Sequence, residues 1–463
     1  MIAETTTRSH EEPPAPVSAA IWSPPYRRLT AGLFLLATGV AFEALAVTTI
    51  LPVTVREIGG FDLYGWAFSA FMLANLIGIT LAGNEADRRG PIRPLVVGIT
   101  SFVLGLLLAA SAPSMPLLIA GRVVQGFGAG FLFALVFFTI ARAYTESLRP
   151  RMLALASIAF VLPAMIGPAL AGLIAEHLGW RWVFFGLTPL LPLAAALAWP
   201  EMRRLAPVSA VPARRSQGIT AGVLALGMGL ALAGFDASSP VIIRLLVCAG
   251  LLLALPALHW LLPFGTLWAA RGLPAAVAIT GLLHLAFYGV DAFVPLALTA
   301  IRGQSPVVAG LAVTTGSLCW TLGVWLQARQ PAQRRRMIVC GGLCLLALGV
   351  IGLAGAVLLP MPILFAILAW GIAGLGMGLA DSANTLAGLE AAPAGAEGTS
   401  TASLQLANVL GIALGTGIGG GIIARAHAET GTFTPGIVTQ QLVMVGIIGL
   451  AVCIAALRFP GRN

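Results

Sequence analysis

LFLLATGVAFEALAVTTILP, Leu33 to Pro52, is a run of twenty mostly apolar residues with one ionisable group, Glu43, near its centre. At about 1.5 Å per residue such a run crosses the roughly 30 Å hydrocarbon core of a bilayer as a helix. A carboxyl group there has to turn away from lipid, because ionisable side chains inside membranes are paired or face a cavity. The rest of the chain repeats this character. Hydrophobic residues make up 58% of the 463 and charged residues only 9%, where a soluble domain carries about a quarter. Apolar runs begin near Leu29, Leu63, Pro94, Pro116, Met152, Trp182, Gly218, Pro240, Leu273, Val307, Met337, Pro362, Ser400 and Ile437, fourteen in all. An all-α membrane protein of fourteen spans is expected, with no room for a large soluble domain.

Charge placement sets the orientation. The net charge of +9 comes from 26 basic residues, all arginine, against 17 acidic ones. With the amino terminus inside, twenty arginines fall on the inner side and five outside (Arg56, Arg181, Arg244, Arg302 and Arg425), leaving Arg122 within a span. That is the positive-inside pattern, so both termini are expected in the cytoplasm. The positive charge then reports topology, not nucleic-acid binding. Residues 1–28 are Pro-rich and polar and lack the apolar core and cleavage site of a secretory signal, so they read as a disordered cytoplasmic tail. The five cysteines (Cys248, Cys319, Cys340, Cys344 and Cys453) fall in spans without histidine at metal-ligand spacing and read as small packing residues. Cys340 and Cys344 share a helix face, but an isolated pair makes a poor metal site, and no metal or cofactor is expected.

The runs group as six, two and six. A first six-helix bundle is expected over 29–200, a basic cytoplasmic linker (EMRRLAPVSAVPARRSQ) over 201–217, two extra spans over 218–262 and a second bundle over 273–458. The seventh run, Gly218 to Phe235, is short and Gly-rich. A twelve-span arrangement with runs seven and eight on the surface therefore stays open, and it leaves the last six in the same orientation. Glycines recur four apart at Gly126 and Gly130, at Gly374 and Gly378, and at Gly411, Gly415 and Gly419. Such faces either pack helices statically or let them slide.

Three short motifs add chemistry. GNEADRRGPIR, Gly83 to Arg93, is a charged turn in which Gly83 would let a helix end pack tightly, Gly90 would serve the turn and Asp87 could pair with an arginine or a helix N-terminus. LIAGRVVQGFGAG, Leu118 to Gly130, puts Arg122 and Gln125 inside the fourth run. PAMIGPALAG, Pro163 to Gly172, puts Gly167, Pro168 and Gly172 in the fifth, where proline removes a backbone donor and bends the helix.

Together these motifs resemble the major facilitator superfamily. The turn is similar to its signature GxLaDrxGrk at Gly83, Asp87, Arg88 and Gly90, with Glu85 in place of leucine and Pro91 and Ile92 in place of the basic pair. The fourth run resembles RxxqGxgaa at Arg122, Gln125, Gly126, Gly128 and Ala129. The fifth resembles the antiporter signature gxxxGPxxGG at Gly167, Pro168 and Gly172, with Pro163 and Ala171 departing. The opening stretch is similar to the first-span pattern lDxTxxnxALP of the fourteen-span drug:proton antiporters. Glu43 stands where that pattern carries its acid and Pro52 at the matching interval, while Leu45 replaces the expected threonine. The segments GWRWVFF (Gly179 to Phe185) and QLANVLGIALGTGIGG (Gln405 to Gly420) extend the likeness. The resemblance implies a major facilitator fold, two six-helix bundles with two extra spans between them, a gate latch at Gly83 to Arg93, and export rather than import.

Three carboxylates lie inside spans: Glu43 in the first, Asp291 in the ninth and Asp381 in the twelfth. Shelter from water disfavours a charged carboxyl and a nearby arginine favours it, so a pair of Glu43 with Arg122 suits proton exchange that depends on whether the pair is engaged. Arg122 could instead snorkel to the outer interface. His284, Tyr288 and Asp291 recur at spacings of four and three on one helix face. They form a proton path, a polar lining, or groups each satisfied by a neighbouring helix. Asp381, followed by Asn384, is either a cavity carboxylate or a helix-packing hydrogen-bonder. GLGMGLADS (Gly374 to Ser382) lacks the GK[ST] ending of a phosphate loop, so ATP hydrolysis is not indicated.

The expectation is a proton-coupled exporter, not an enzyme, acting by alternating access as a monomer in a bacterial cytoplasmic membrane. Protons and a hydrophobic or cationic small molecule are its partners, with membrane lipid and without nucleic acid. Glu43, Arg122, Asp291 and Asp381 would handle the proton around a water-accessible cavity, lined for substrate by Gln125, His284, Tyr288 and Asn384. One rival is a dedicated exporter of a single endogenous metabolite or lipid. Another is a non-transporting membrane sensor, for which no appended signalling domain speaks.

Overall fold

The computed structural model describes residues 20–205, 215–236, 239–393 and 397–459. Most of the tail expected over 1–28 and the middle of the linker over 201–217 lie outside the described residues. Among those described, the regular structure is helical throughout. Fourteen helical segments are long and apolar enough to cross a membrane, running from 19 to 33 residues. Their ends follow local chemistry. The first span, Arg27–Ile58, stops at Gly59 and Gly60, both at φ +73°, and the second, Phe61–Arg89, stops at Gly90, φ +80°, which fills the turn role expected of it. Proline opens the fourth (Met115–Ala143), fifth (Arg149–His177) and tenth (Pro306–Ala328) spans, where its missing N–H costs nothing.

Glycine sets how closely the helices pack. In the first bundle the second and fourth spans approach until a Cβ on Gly126 would lie 2.1 Å from the Phe71 carbonyl oxygen. The tenth and twelfth (Ile363–Glu390) spans do the same in the second bundle, where a Cβ on Gly374 would lie 2.0 Å from the Gly316 oxygen. The two bundles repeat one pattern. First with fifth, third (Ile92–Ala110) with fourth, and first with sixth (Arg181–Met202) correspond to ninth (Leu273–Ile301) with thirteenth (Gly398–Thr430), eleventh (Ala332–Leu358) with twelfth, and ninth with fourteenth (Thr434–Arg458). The seventh (Gln217–Phe235) and eighth (Pro240–Leu261) spans pack on each other, and the seventh lies along the second and thirteenth. Runs seven and eight thus form a helical hairpin and not a pair of surface segments.

The bundles meet along two seams, fifth span on tenth and second on thirteenth. The Gly167–Pro168–Gly172 motif lies in the first seam: a Cβ on Gly310 would meet the Pro168 oxygen at 2.5 Å, and one on Gly172 the Pro306 oxygen at 2.8 Å. At one end of the molecule the seams close into a plug. The Tyr64 and Phe293 rings sit 5.3 Å apart, Phe61 and Phe433 4.6 Å, and His427 stacks on Phe433 at 4.1 Å. Arg56 donates across the seam to the Thr299 carbonyl at 3.0 Å, within the π-helical turn Ala297–Ile301. Ser69 donates to the Ala413 carbonyl at 2.8 Å.

Two sequence expectations need correction. A Cβ on Gly83 would meet nothing within 4 Å, so this glycine does not pack a helix end tightly, because it stands beside an open cleft lined by Asn84 and Glu85. Cys248, Cys344 and Cys453 are exposed on outward helix faces instead of packed inside, a position an apolar thiol can take where the surroundings are lipid.

Candidate functional site

Between the bundles, beyond the plug, lies a cavity of about 500 Å³. The first, second, fourth and fifth spans form one wall and the ninth, tenth and thirteenth the other. Its surface is largely apolar and aromatic, with Phe71, Phe133, Phe160 and Trp320 prominent. Polar groups are few: Thr48, Asn75, Arg122 and Asp291 among them, with Gln405 and Asn408 from the thirteenth span.

Arg122 is held on several sides. Its Nε donates to the Ala67 carbonyl at 3.0 Å, and one terminal nitrogen donates both to Glu43 Oε1 and to Gln125 Oε1, the latter at 3.2 Å. The guanidinium lies over the Phe71 ring, 4.1 Å from its centre. Gln125 donates to the same Glu43 oxygen at 3.2 Å. Spacing of three on the fourth helix brings Arg122 and Gln125 to one face. At 1% exposure Arg122 does not snorkel.

Glu43 is 0% exposed and does not itself line the cavity. Val40, Ala41, Ala44 and Thr48 make the cavity-facing stripe of the first span, which turns Glu43 away by about 100° per residue of helix. The expectation of a carboxyl directly on a water-accessible wall is corrected on this point. In this state Glu43 is sealed behind Arg122, and its Oε2 has no hydrogen-bond partner among the described residues.

The second bundle divides its polar residues differently. Tyr288 and Asp291 line the cavity. His284, on the same helix face, lies behind the wall: Nδ1 meets the Thr280 carbonyl at 2.9 Å, which places a proton on that nitrogen. Nε2 then accepts from Asn408 Nδ2 at 2.8 Å, and it lies 3.8 Å from Asp381 Oδ1. Asn384 donates to the Ala276 carbonyl at 2.9 Å and to the Thr280 hydroxyl at 3.0 Å. Gln125, His284 and Asn384 therefore support the wall instead of forming it: Gln125 bonds Glu43 and Arg122 of its own helix, His284 bonds Asn408 and Thr280 of its own helix, and Asn384 bonds the ninth span. Asn408 and Gln405, which do line it, stand at the start of the stretch QLANVLGIALGTGIGG, whose Gly411, Gly415 and Gly419 drew the reading; a polar pair three apart in an apolar run was the signal.

The profile of the Major Facilitator Superfamily matches residues 29–416. The chain is 31% identical over 386 residues to a multidrug resistance protein B homolog of Mycobacterium tuberculosis (strain CDC 1551 / Oshkosh), covering 78% of this chain and 69% of that one. It is 28% identical over 419 residues to a probable multidrug-efflux transporter of the same organism, covering 84% and 87%. Among solved structures, an inward-facing bacterial homolog of the human lysosomal transporter Spinster aligns with a TM-score of 0.68 at 16% identity, over 94% of this chain and 97% of that one, a likeness of fold.

Proposed function

The chain belongs to the major facilitator superfamily, and on that footing we propose that this multi-pass membrane transporter exports hydrophobic or cationic amphipathic molecules in exchange for protons. The setting proposed is a bacterial cytoplasmic membrane with both termini inside, and the unit a monomer. The observation that carries the reading is the buried Glu43–Arg122 pair, whose guanidinium borders a largely apolar cavity between the bundles.

Such a pair is neutral while Glu43 is ionised and carries one positive charge once Glu43 takes a proton. Proton uptake therefore exposes an uncompensated guanidinium on the cavity wall, which repels a cation. Loss of the proton restores the pair and lets the cation return. Proton and cationic substrate thus exclude each other, and exclusion of that sign is antiport. The free Oε2 offers the proton a site once the pair parts and opens a path to the cavity.

Asp291, on the opposite wall, supplies the negative charge that a cation seeks, and Tyr288 and Trp320 add aromatic faces beside it. Asp381 with His284 and Asn384 completes the polar backing of the second bundle. Alternating access would open the plug of Tyr64 and Phe293 and close the end bearing Gly83, Asp87, Arg88 and Gly90. A proton crossing about 150 mV supplies about 3.4 kcal/mol. At about 1.4 kcal/mol per factor of ten this supports a substrate gradient of a few hundred.

Counterflow in proteoliposomes with a panel of lipophilic cations and neutral compounds tests the reading. Cations are expected to accumulate against their gradient when a pH gradient is imposed, and transport indifferent to that gradient would refute proton coupling.

A further inference from the structure

A second cavity, of about 600 Å³, lies away from the space between the bundles, where the second and third spans meet the start of the seventh. Its walls change character along its length. Asn84, Glu85, Arg88 and Arg93 line one part, and Leu81, Val96, Val97 and Phe131 the other. Val96 and Val97 are 43% and 39% exposed although they belong to a membrane span. Val97 stands four residues beyond Arg93, about 6 Å further along the helix, so the passage from charge to hydrocarbon follows the passage from headgroup to acyl chain.

We infer that this cleft binds one anionic glycerophospholipid, its phosphate between Arg88 and Arg93 and an acyl chain along Leu81, Val97 and Phe131. Charge selects the headgroup. Glu85 is engaged by Arg89 at 2.8 Å and lies 4.0 Å from Arg93, while Arg88 has no hydrogen-bond or ion-pair partner among the described residues. Arg88, Arg89 and Arg93 outnumber Glu85 and Asp87, so the mouth is net positive. Guanidinium groups match phosphate oxygens in geometry as well as in charge.

The apolar wall selects a lipid over a free phosphate, which would use the arginines alone. A choline lipid would fill the wall but bring a cation beside Arg88. The seventh span closes the cleft with Gly218, where a Cβ would lie 2.7 Å from Leu81 Cδ2. A larger side chain there would occupy the slot. One of the two extra spans thereby has a task that neither six-helix bundle performs. The inference rests on the chain spanning a membrane with this end in the cytoplasmic leaflet, not on proton coupling, so it stands or falls separately from the transport assay.

The test is native mass spectrometry of the delipidated full chain, titrated with phosphatidylglycerol, phosphatidylcholine or inorganic phosphate. One phosphatidylglycerol per chain is expected to bind at least about fivefold more tightly than phosphatidylcholine, as about 1 kcal/mol per arginine near a headgroup implies. Millimolar inorganic phosphate is expected not to displace it. In the double variant Arg88→Gln/Arg93→Gln the preference for phosphatidylglycerol should vanish, and in Gly218→Leu both lipids should bind more weakly. Equal binding of the two lipids to the unaltered chain, displacement by phosphate, or an undiminished preference in the double variant would overturn the assignment. If the double variant does not fold, the lipid competition on the unaltered chain and the Gly218→Leu comparison decide it.

Discussion

Arg122 stands between Glu43 and the central cavity, with its guanidinium on the wall over Phe71 and its terminal nitrogen donating to a carboxylate that has no exposure of its own. A proton moving between that carboxylate and the cavity has to pass the arginine. Under the proposed proton coupling, exchange would then be tied to separation of the pair, a step that a carboxylate on an open wall would not need, and pairing and access would become one event.

Removing the arginine alone should be worse for the fold than removing both charges. Arg122→Ala strands an ionised carboxyl inside the bundle, a change that costs about 3–5 kcal/mol when a buried pair is broken from one side. Thermal unfolding in detergent is expected to show a large drop for Arg122→Ala and partial recovery in Glu43→Gln/Arg122→Ala. Simple additivity of the two single changes would mean that the groups do not interact.

Glycines of similar appearance should differ sharply. Gly126→Ala puts a methyl 2.1 Å from the Phe71 carbonyl oxygen, and backbone on both sides leaves little room to give. Gly83→Ala meets nothing within 4 Å. The first is expected to lose monodisperse protein on size-exclusion chromatography, and the second to match the unaltered chain in stability.

Asp291 should discriminate substrates by charge. Loss of a charge-assisted contact is worth about 1.5–3 kcal/mol, so Asp291→Asn is expected to weaken binding of lipophilic cations by about tenfold or more. Neutral ligands of similar size should be unaffected. Ligand titration by intrinsic fluorescence reads both, and equal losses for both classes would remove Asp291 from cation recognition.

The plug should behave as a gate. A side chain at Gly65 would begin 2.7 Å from the Thr416 carbonyl and 3.0 Å from Gly420 Cα, so Gly65→Leu should hold this end open. In a background lacking the native cysteines, a Thr416→Cys reporter on the cavity wall is expected to label faster with an impermeant maleimide added from outside. An unchanged rate would show that the seal lies elsewhere.

Hydropathy made the fourteen helices legible, because each must supply enough apolar length to cross a bilayer. Their ends were less so: the fifth run begins near Met152 by hydropathy, while its helix starts at Arg149, since the first turn of this span extends into the polar interface. The Glu43–Arg122 pair was legible as well, because a charge in hydrocarbon demands a partner and Arg122 was the arginine left inside a span. Helix rotation was not legible. Whether Gln125, His284 and Asn384 face the cavity or a neighbouring helix depends on tertiary contacts such as Asn408 with His284, 124 residues apart. The plug was equally hidden, since Phe61, Tyr64, Phe293, His427 and Phe433 come from segments far apart in the chain.

The most direct measurement is transport of a lipophilic cation into proteoliposomes holding either the unaltered chain or Glu43→Gln, with and without an imposed pH gradient. Glutamine keeps the size of the side chain and an oxygen for Arg122, but it has no proton to exchange. Because Glu43→Gln leaves Arg122 without its counter-charge, downhill counterflow of the cation is expected to fall and its acceleration by the pH gradient to disappear. Acceleration of equal size in both proteins would contradict the account.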